Sequence, residues 1–366
     1  MPELLTPELN ELRDLVAALA ADTLVRLRDD PSLSPTELRR RTRDASQAVG
    51  LYPMAQSGSS VLGLVVARDT LGQYNVGHLP GLFGAGPGVL AGVGEPLRSS
   101  HLLPVLAGEK QAGFAFTEPD SAPRPSWGRL EGDELVINGQ KSYVTGGAEA
   151  DFLTALVEVE DRGPAMVVID TAAEGVTMTR RFGSIDGSHH AAFTFSEVRV
   201  PATHIVGAAG EGRTRALGKI SEVRLSIAAG CVGVAAWIIE HVTDCLQAPR
   251  RGGVSLSARD NVRLRYGDMR IKAFAARSAV YRTARLADLG ENVVNEAMAC
   301  KVFATETVGE LADAAVQLEG GEALVEGHPL EGVFRRVRTL RLAEGESDVL
   351  RLNVARGRLD LGLGRL

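Results

Sequence analysis

The chain has 366 residues, 46 acidic and 40 basic, for a formal charge of −6, with 45% hydrophobic and 23% charged residues. These fractions are those of an ordinary globular chain and exclude a disordered or fibrous one. The acidic balance speaks against nucleic acid as a partner, because affinity for a phosphate backbone comes from clustered Lys and Arg.

In chain order, the opening MPELLTPELNELRD lacks the charged and apolar regions of a signal peptide. No charge-free apolar run reaches the roughly 18 residues of a membrane helix. A cytoplasmic protein without a membrane partner is expected. Thr6-Pro7 reads as an N-cap with proline at the first helical position, and Leu9, Leu12, Val16 and Leu19 recur at helical spacing as one buried stripe. Helical texture continues to about residue 110. Within it, GLFGAGPGVLAGVG at 81–94 is a small-residue stretch whose Gly84, Gly86 and Gly88 have no strand before them, so close packing of a buried segment is expected rather than a dinucleotide turn.

From about 111 to 208 the period becomes two. Leu135-Val136-Ile137 and the run from Gln140 to Val144 flank Asn138-Gly139, which predicts a hairpin there. His189-His190 has no third ligand at regular spacing and reads as a loop or surface pair. Phe193, Phe195, Val198 and Val200 interleave with Thr194, Ser196 and Arg199 as in a half-buried strand that Pro201 ends. Helical texture then returns over roughly 216–247, 255–288, 291–318 and 347–357, suggesting an antiparallel bundle. Its Cys231 and Cys245, like Cys300, are isolated, with neither CxxC nor Cys/His ligand spacing, so no disulfide framework and no metal site are indicated. The order α, β, α divides the chain into 1–110, 111–210 and 211–366, a multidomain α+β fold.

Three segments carry a pattern: Phe114-Ala-Phe-Thr-Glu-Pro-Asp120, Asn138-Gly-Gln-Lys-Ser-Tyr-Val-Thr-Gly146 and Leu342-Ala-Glu-Gly-Glu-Ser-Asp348. Their order and spacing resemble the acyl-CoA dehydrogenase family, whose members carry T-E-P, then N-G-x-K-x-W-I-T, then Y-E-G-T-S-E. Val198-Arg-Val-Pro201 and Gln317-Leu-Glu-Gly-Gly321 extend the likeness. The resemblance implies an N-terminal α-helical domain, a middle β-barrel domain, a C-terminal four-helix-bundle domain, and FAD as cofactor. It implies oxidation of an acyl thioester, with the alpha proton removed by a carboxylate and a hydride passed to flavin N5. Glu344 stands at the family's base position, and desolvation suits a carboxylate to that task by raising its pKa. On the same grounds Thr145 stands at flavin N5, Thr117 near the pyrimidine oxygens and Tyr143 against the ring. Gln317, Gly320 and Gly321 match the segment that meets the dinucleotide of a neighbouring subunit's FAD, which implies a homodimer or homotetramer. Arg250 and Arg251 lie near the family's FAD-binding arginine, and Arg224 matches an arginine at the substrate. The adjacent Val223 cannot serve as a base.

The departures point to a substrate more polar than a fatty acyl chain. The thioester loop becomes Asp120-Ser-Ala-Pro-Arg-Pro125, E-G-T becomes E-G-E, and Arg335, Arg336, Arg338 and Arg341 precede it, some of them available to pair with Glu346. The pattern resembles a secondary-metabolism branch that oxidises acyl groups held on acyl carrier proteins, including precursors of hydroxymalonyl- or methoxymalonyl-type polyketide extender units. CoA is the other carrier expected. Arginine clusters such as Arg39-Arg40-Arg41 or Arg335-Arg336 would receive an acidic carrier protein. A flavin monooxygenase on the same fold, against which Glu344 counts, and a non-catalytic paralogue are the rival readings. The physiological electron acceptor is not legible.

Overall fold

Thr6 accepts a hydrogen bond from the Leu9 N–H at 3.4 Å and Pro7 fills the first helical position, so α1 spans Pro7–Leu19. A π-helical turn, Ala20–Leu24, carries it into α2, Val25–Asp29. Helices α3, Pro35–Ala48, and α4, Val61–Gln73, are capped by Ser34 and Ser60 in the same way. The computed structural model describes residues 4–56, 60–249 and 253–364. It resolves into two compact units, one combining Met1–Phe83 with Ser221–Leu366 and the other Gly84–Ile220. The helical texture up to residue 110 therefore divides: as far as Phe83 it belongs with the C-terminal helices, and beyond that with the strands.

The first unit is helical. Besides α1 to α4 it holds most of α6 (Gly212–Gln247), α7 (Asp260–Asp288), α8 (Val294–Glu319), α9 (Pro329–Thr339) and α10 (Ser347–Leu359). Why α4 joins the distant helices follows from its composition. VLGLVVARDTLGQ buries Val65, Val66, Ala67, Leu71 and Gly72 around its whole circumference, so it needs helices on several sides. Val65 and Val66 share one core with Leu225, Ala228 and Val232 of α6, Val280 and Tyr281 of α7, and Val308 and Leu311 of α8. A Cβ on Gly233 of α6 would lie 2.2 Å from the Asp69 carbonyl oxygen of α4, and one on Gly72 would lie 2.8 Å from the Gly233 Cα. Only paired glycines allow that crossing. Beside it, the fully buried Asp69 carboxylate accepts from the Arg277 guanidinium and the Tyr281 hydroxyl of α7, and from Gln73 at 3.1 Å. Residues Val223–Gln247 of α6 are long and apolar enough to cross a membrane, but half of that stretch is buried in this core.

The second unit contains the short helix α5, Leu103–Ala107, and a sheet of β1 (Ala112–Ala115), β2 (Trp127–Glu131), β3 (Glu134–Thr145), β4 (Phe152–Val159), β5 (Gly163–Asp170), β6 (Val176–Gly183), β7 (His189–Pro201) and β8 (Ile205–Val206). The ladder runs β6-β7-β3-β2-β4-β5-β8, with β1 parallel to β4. Where a barrel is expected, the described residues form one sheet whose end strands, β6 and β8, do not pair with each other. Its inner face buries Leu135, Ile137, Leu153, Ala155, Val157, Phe193, Phe195 and Val198.

The half-buried strand expected from Phe193 to Pro201 is found in β7, and three other local expectations are corrected. Asn138-Gly139 is not a turn: β3 runs straight through it, and the hairpin lies earlier, where Glu131 pairs with Glu134 across Gly132-Asp133. Gly139 has φ +146° and a Cβ there would lie 2.5 Å from the Ser126 Cα, while the Asn138 amide is tied to Glu197 at 2.6 Å. The Asn-Gly pair serves strand-to-strand approach, not reversal. In β7 the alternation slips between Phe195 and Val198 because Glu197 adopts φ +50°, a bulge that returns Val198 and Val200 to the inner face. Residues 81–94 are an irregular stretch that is closely packed only in part: Leu82, Gly84, Val89 and Leu90 are buried and a Cβ on Gly81 would lie 2.8 Å from the Arg39 carbonyl oxygen, but Gly88, Gly92 and Gly94 face open space. His189-His190 opens β7 instead of lying in a loop, and His190 is buried.

The glycine crossing is testable. Gly233→Ala forces a methyl group against the Asp69 carbonyl, where backbone must move, so unfolding free energy should fall by about 1–3 kcal/mol. Ala at Gly230, where a Cβ meets nothing within 4 Å, should cost far less in the same denaturation experiment.

Candidate functional site

In the helical unit, Glu344 lies in the turn between α9 and α10. It is a non-glycine residue at φ +53°, followed by Gly345 at φ +110°. Such a conformation persists only where the surroundings hold it. Here they do: Arg224 Nε of α6 donates to the Glu344 carbonyl at 3.0 Å, and Lys301 Nζ of α8 donates to the carbonyls of Arg341 at 3.1 Å and Gly345 at 2.7 Å. Burial pushes the Glu344 carboxyl above the usual range, opposed by the charges of Arg224 and Lys301. A half-buried carboxylate with a raised pKa, flanked by two cations and carried on a held turn, is suited to receive a proton.

Arg224 is only 7% exposed, and burial lowers its pKa while Glu344 opposes that. The structure thus gives Arg224 a contact with the backbone of Glu344. Lys301 escaped sequence reasoning because a lysine in an amphipathic helix reads as surface, yet it is fully buried, and burial lowers its pKa to about 8. Behind it Cys231 is buried with its thiol pushed up to about 12, so it stays protonated.

Glu346 is not an arginine partner among the described residues. Its carboxylate caps α10, accepting from the N–H groups of Asp348 at 3.1 Å and Val349 at 3.2 Å. The arginines before it go elsewhere: Arg335 to Glu331, Arg336 to the Asn75 side chain at 2.8 Å, and Arg341 to the Glu306 carbonyl at 3.3 Å. Arg40 and Arg41 pair with Glu37, and Arg40 also with Asp44, which leaves little of that cluster's charge uncompensated.

Gln317 is exposed near the end of α8 and lines a cavity of about 650 Å³ with Leu256, Val262, Arg265 and Asp313. Gly320, at φ +92°, and the exposed Gly321 form the turn that ends α8, with the Gly320 N–H donating back to the Val316 carbonyl at 2.9 Å. Arg250 and Arg251 lie outside the described residues. Beside the turn, Glu319 accepts from His241 at 2.9 Å and His328 at 3.2 Å, a cluster that sequence spacing conceals. His328 Nδ1 accepts the Leu330 N–H at 3.3 Å, so the proton sits on Nε2 and points at Glu319. That tautomer makes a hydrogen-bond relay, not a lone pair turned toward a metal.

In the strand unit the motif residues are physically joined. Glu118 of the T-E-P segment accepts from Lys141 of the N-G-x-K segment at 2.6 Å and from the Ser126 N–H at 2.9 Å, and these bonds hold its carboxyl below the usual range despite burial. The Thr117 carbonyl accepts the Ser142 N–H at 3.0 Å, which sets Thr117 beside Tyr143. Tyr143 and Thr145 alternate with buried Val144, so both project from one exposed face of β3. Neither the Thr117 nor the Thr145 hydroxyl has a hydrogen-bond partner among the described residues.

His190 is the residue sequence reasoning missed on this face. It pairs with Thr145 across the ladder, its ring lies 4.2 Å from that of Tyr143, and Phe182 packs on both. The Ser188 hydroxyl donates to Asp186 at 2.6 Å and therefore accepts from His190 Nε2 at 2.9 Å. Nδ1 is then a bare acceptor, buried and without a partner, and burial lowers the pKa so that the ring stays neutral. A 48% exposed tyrosine, two open hydroxyls and one orphaned buried acceptor fit a flat, polar, hydrogen-bonding ring. The donor set thus suits the isoalloxazine of the FAD that the motifs imply.

The sequence matches a family model described as "Acyl-CoA dehydrogenase, C-terminal domain" over residues 210–359. It is 28% identical over 273 residues to a probable acyl-CoA dehydrogenase of Bacillus subtilis, covering 72% of each chain. A 3-(aryl)acrylate reductase of Clostridium sporogenes is 26% identical over 280 residues, 74% of each. Residues 210–359 thus carry the C-terminal domain of acyl-CoA dehydrogenases, and most of the chain is similar to members of that family. Its fold also matches a solved FAD complex of PigA, with a TM-score of 0.84 at 18% identity, over 99% of this chain and 100% of that one. That likeness speaks for the fold alone. Against the motifs of the acyl-CoA dehydrogenase family the chain departs at Tyr143 and at Glu346.

The two acids of the E-G-E segment separate by experiment. Glu346→Ala removes the α10 cap and should lower unfolding free energy by about 1 kcal/mol. Glu344→Ala removes no cap and should leave the denaturation midpoint nearly unmoved or raise it, since a half-buried charge is lost.

Proposed function

We propose that this protein is a FAD-dependent oxidoreductase of acyl thioesters in which Glu344 removes the alpha proton. The observation that carries the reading is the turn at Glu344: a strained, half-buried carboxylate with a raised pKa, held by Arg224 and Lys301. When bound, FAD supplies the acceptor for the beta hydride. Tyr143, with His190 and Phe182 behind it, gives the ring an aromatic seat. The hydroxyls of Thr117 and Thr145 and the Nδ1 of His190 offer hydrogen-bonding groups around it. On this reading the exposed Gln317 and the Gly320-Gly321 turn meet the dinucleotide of a second copy, and the working form is a homodimer or homotetramer. Glu344 takes the proton on a carboxylate oxygen, while the nearby cations offset the negative charge that develops on the acyl oxygen.

For substrate, we propose a short, polar acyl group carried on CoA or on an acyl carrier protein, as in the making of hydroxymalonyl- or methoxymalonyl-type extender units. The altered thioester loop from Asp120 to Pro125 and the two cations beside Glu344 support this. Bleaching of the flavin by one of a panel of CoA and carrier-protein thioesters would name the substrate. Bleaching only by unsubstituted fatty acyl-CoA would sink the polar-substrate proposal.

Two outcomes test the chemistry. Glu344→Gln keeps shape and volume but removes the basic oxygen, so anaerobic flavin reduction in single turnover should slow by about 10²–10⁴-fold, with FAD content unchanged. In the parent protein, reduction should fail as pH drops through the Glu344 pKa. The raised pKa places that limb above the usual carboxylate range. Normal reduction by Glu344→Gln across the pH range would remove Glu344 from the mechanism.

A further inference from the structure

Lys301 carries a charge to a place where charge is costly. Its side chain is fully buried in α8, yet its ammonium meets no carboxylate within ion-pairing distance among the described residues. Its partners are two backbone carbonyls, those of Arg341 and Gly345, which bracket the turn containing Glu344. A buried ammonium pairs with an acid wherever one is available, because desolvation of an uncompensated charge costs several kcal/mol. Here the lysine instead joins the two ends of a five-residue turn whose fourth residue, Glu344, sits at φ +53°. The same turn is held from the other side by Arg224 and, more loosely, by the Ser347 hydroxyl on the Arg341 carbonyl at 3.5 Å.

We infer that Lys301 is a positioning residue for the proton-abstracting turn: it locks residues 341–345 in the conformation that presents Glu344, and its charge keeps that carboxylate ionised in a buried setting. The inference rests on Glu344 being the base. The groups that face Lys301 and Glu344 are few. Arg224 and Cys231 approach from α6, Glu346 from the start of α10, and Arg341 turns its guanidinium to the Glu306 carbonyl of α8. Arg224 remains a cation, the Cys231 thiol remains neutral, and Glu346 is committed to the α10 cap. A purely structural lysine would make the same two bonds but would have no bearing on where Glu344 titrates. The sign follows from Coulomb's law: a cation removed from beside a carboxylate raises its pKa.

The test uses the FAD-loaded protein. Lys301→Met, Lys301→Gln and Lys301→Arg are compared with the parent for the rate of anaerobic flavin reduction from about pH 5 to 9. Lys301→Met loses charge and donors, so the rate at neutral pH should drop about 10–100-fold, and the acid limb should move up by about one pH unit. Lys301→Gln retains N–H donors without the charge. It should show the same limb shift with a smaller loss of rate, and it stands in for Lys301→Met should that variant fail to fold. Lys301→Arg retains the charge and should return the limb to its parental position. A limb that stays put in both neutral variants overturns the inference, whatever happens to the rate. Glu344→Gln separates this from the underlying reading: if that variant reduces normally with the parental limb, it is Glu344 that is misassigned.

Discussion

The crossing of α4 and α6 at Gly72 and Gly233 is the contact on which the helical unit depends. Two helix backbones touch there, close enough that a single methyl group would overlap a carbonyl oxygen. That proximity brings Asp69 into a fully buried position, where an isolated carboxylate would be strongly destabilising. Arg277 and Tyr281 of α7 satisfy it, so the crossing also fixes the third helix. Because α4 comes from the first quarter of the chain and α6 and α7 from the last half, the contact draws the first 83 residues into the C-terminal bundle. The framework that results is the one from which Arg224 and Lys301 reach the turn at Glu344.

The site in that unit follows one rule of buried polar chemistry: charged side chains meet backbone groups in place of opposite charges. Arg224 and Lys301 both donate to carbonyls of the turn from Arg341 to Gly345, and the Glu346 carboxylate accepts from the first N–H groups of α10. Each of these bonds defines the path of the backbone. Together they hold Glu344 in a left-handed conformation that its own side chain disfavours. The result is a carboxylate whose pKa is pushed up by burial and restrained by two cations, in the balance a general base requires.

The strand unit meets its own demand differently. Its motif residues divide between those that build the sheet and those left open on its face. The buried Lys141 pairs with the half-buried Glu118, and Gly139 admits Ser126 at a distance no other residue permits. Tyr143 and Thr145 alternate outward from the same strand, and His190 lies opposite with an unmet acceptor. A native sheet rarely leaves a buried ring nitrogen without a donor. That unmet nitrogen marks this face as one shaped for a ligand.

By itself the sequence determined the α, β, α order, the caps at Thr6 and the long C-terminal helices, because these follow from local periodicity and capping chemistry. It also carried the resemblance to the acyl-CoA dehydrogenase family, through motifs kept in order and distance along the chain. It misjudged Asn138-Gly139, since a dipeptide suited to a turn is equally suited to a close strand contact, and only the approach of Ser126 decides between them. It missed Lys301 and His190 for a related reason. A lysine in a helix or a histidine at a strand start has the same local signature on the surface as in the interior, and its role depends on what packs over it. The tertiary structure alone placed Lys301 beneath a turn some 40 residues away and left His190 facing Tyr143. It alone divided the chain at Phe83, because burial of an all-round apolar helix depends on partners distant in sequence and short-range patterns carry no record of them.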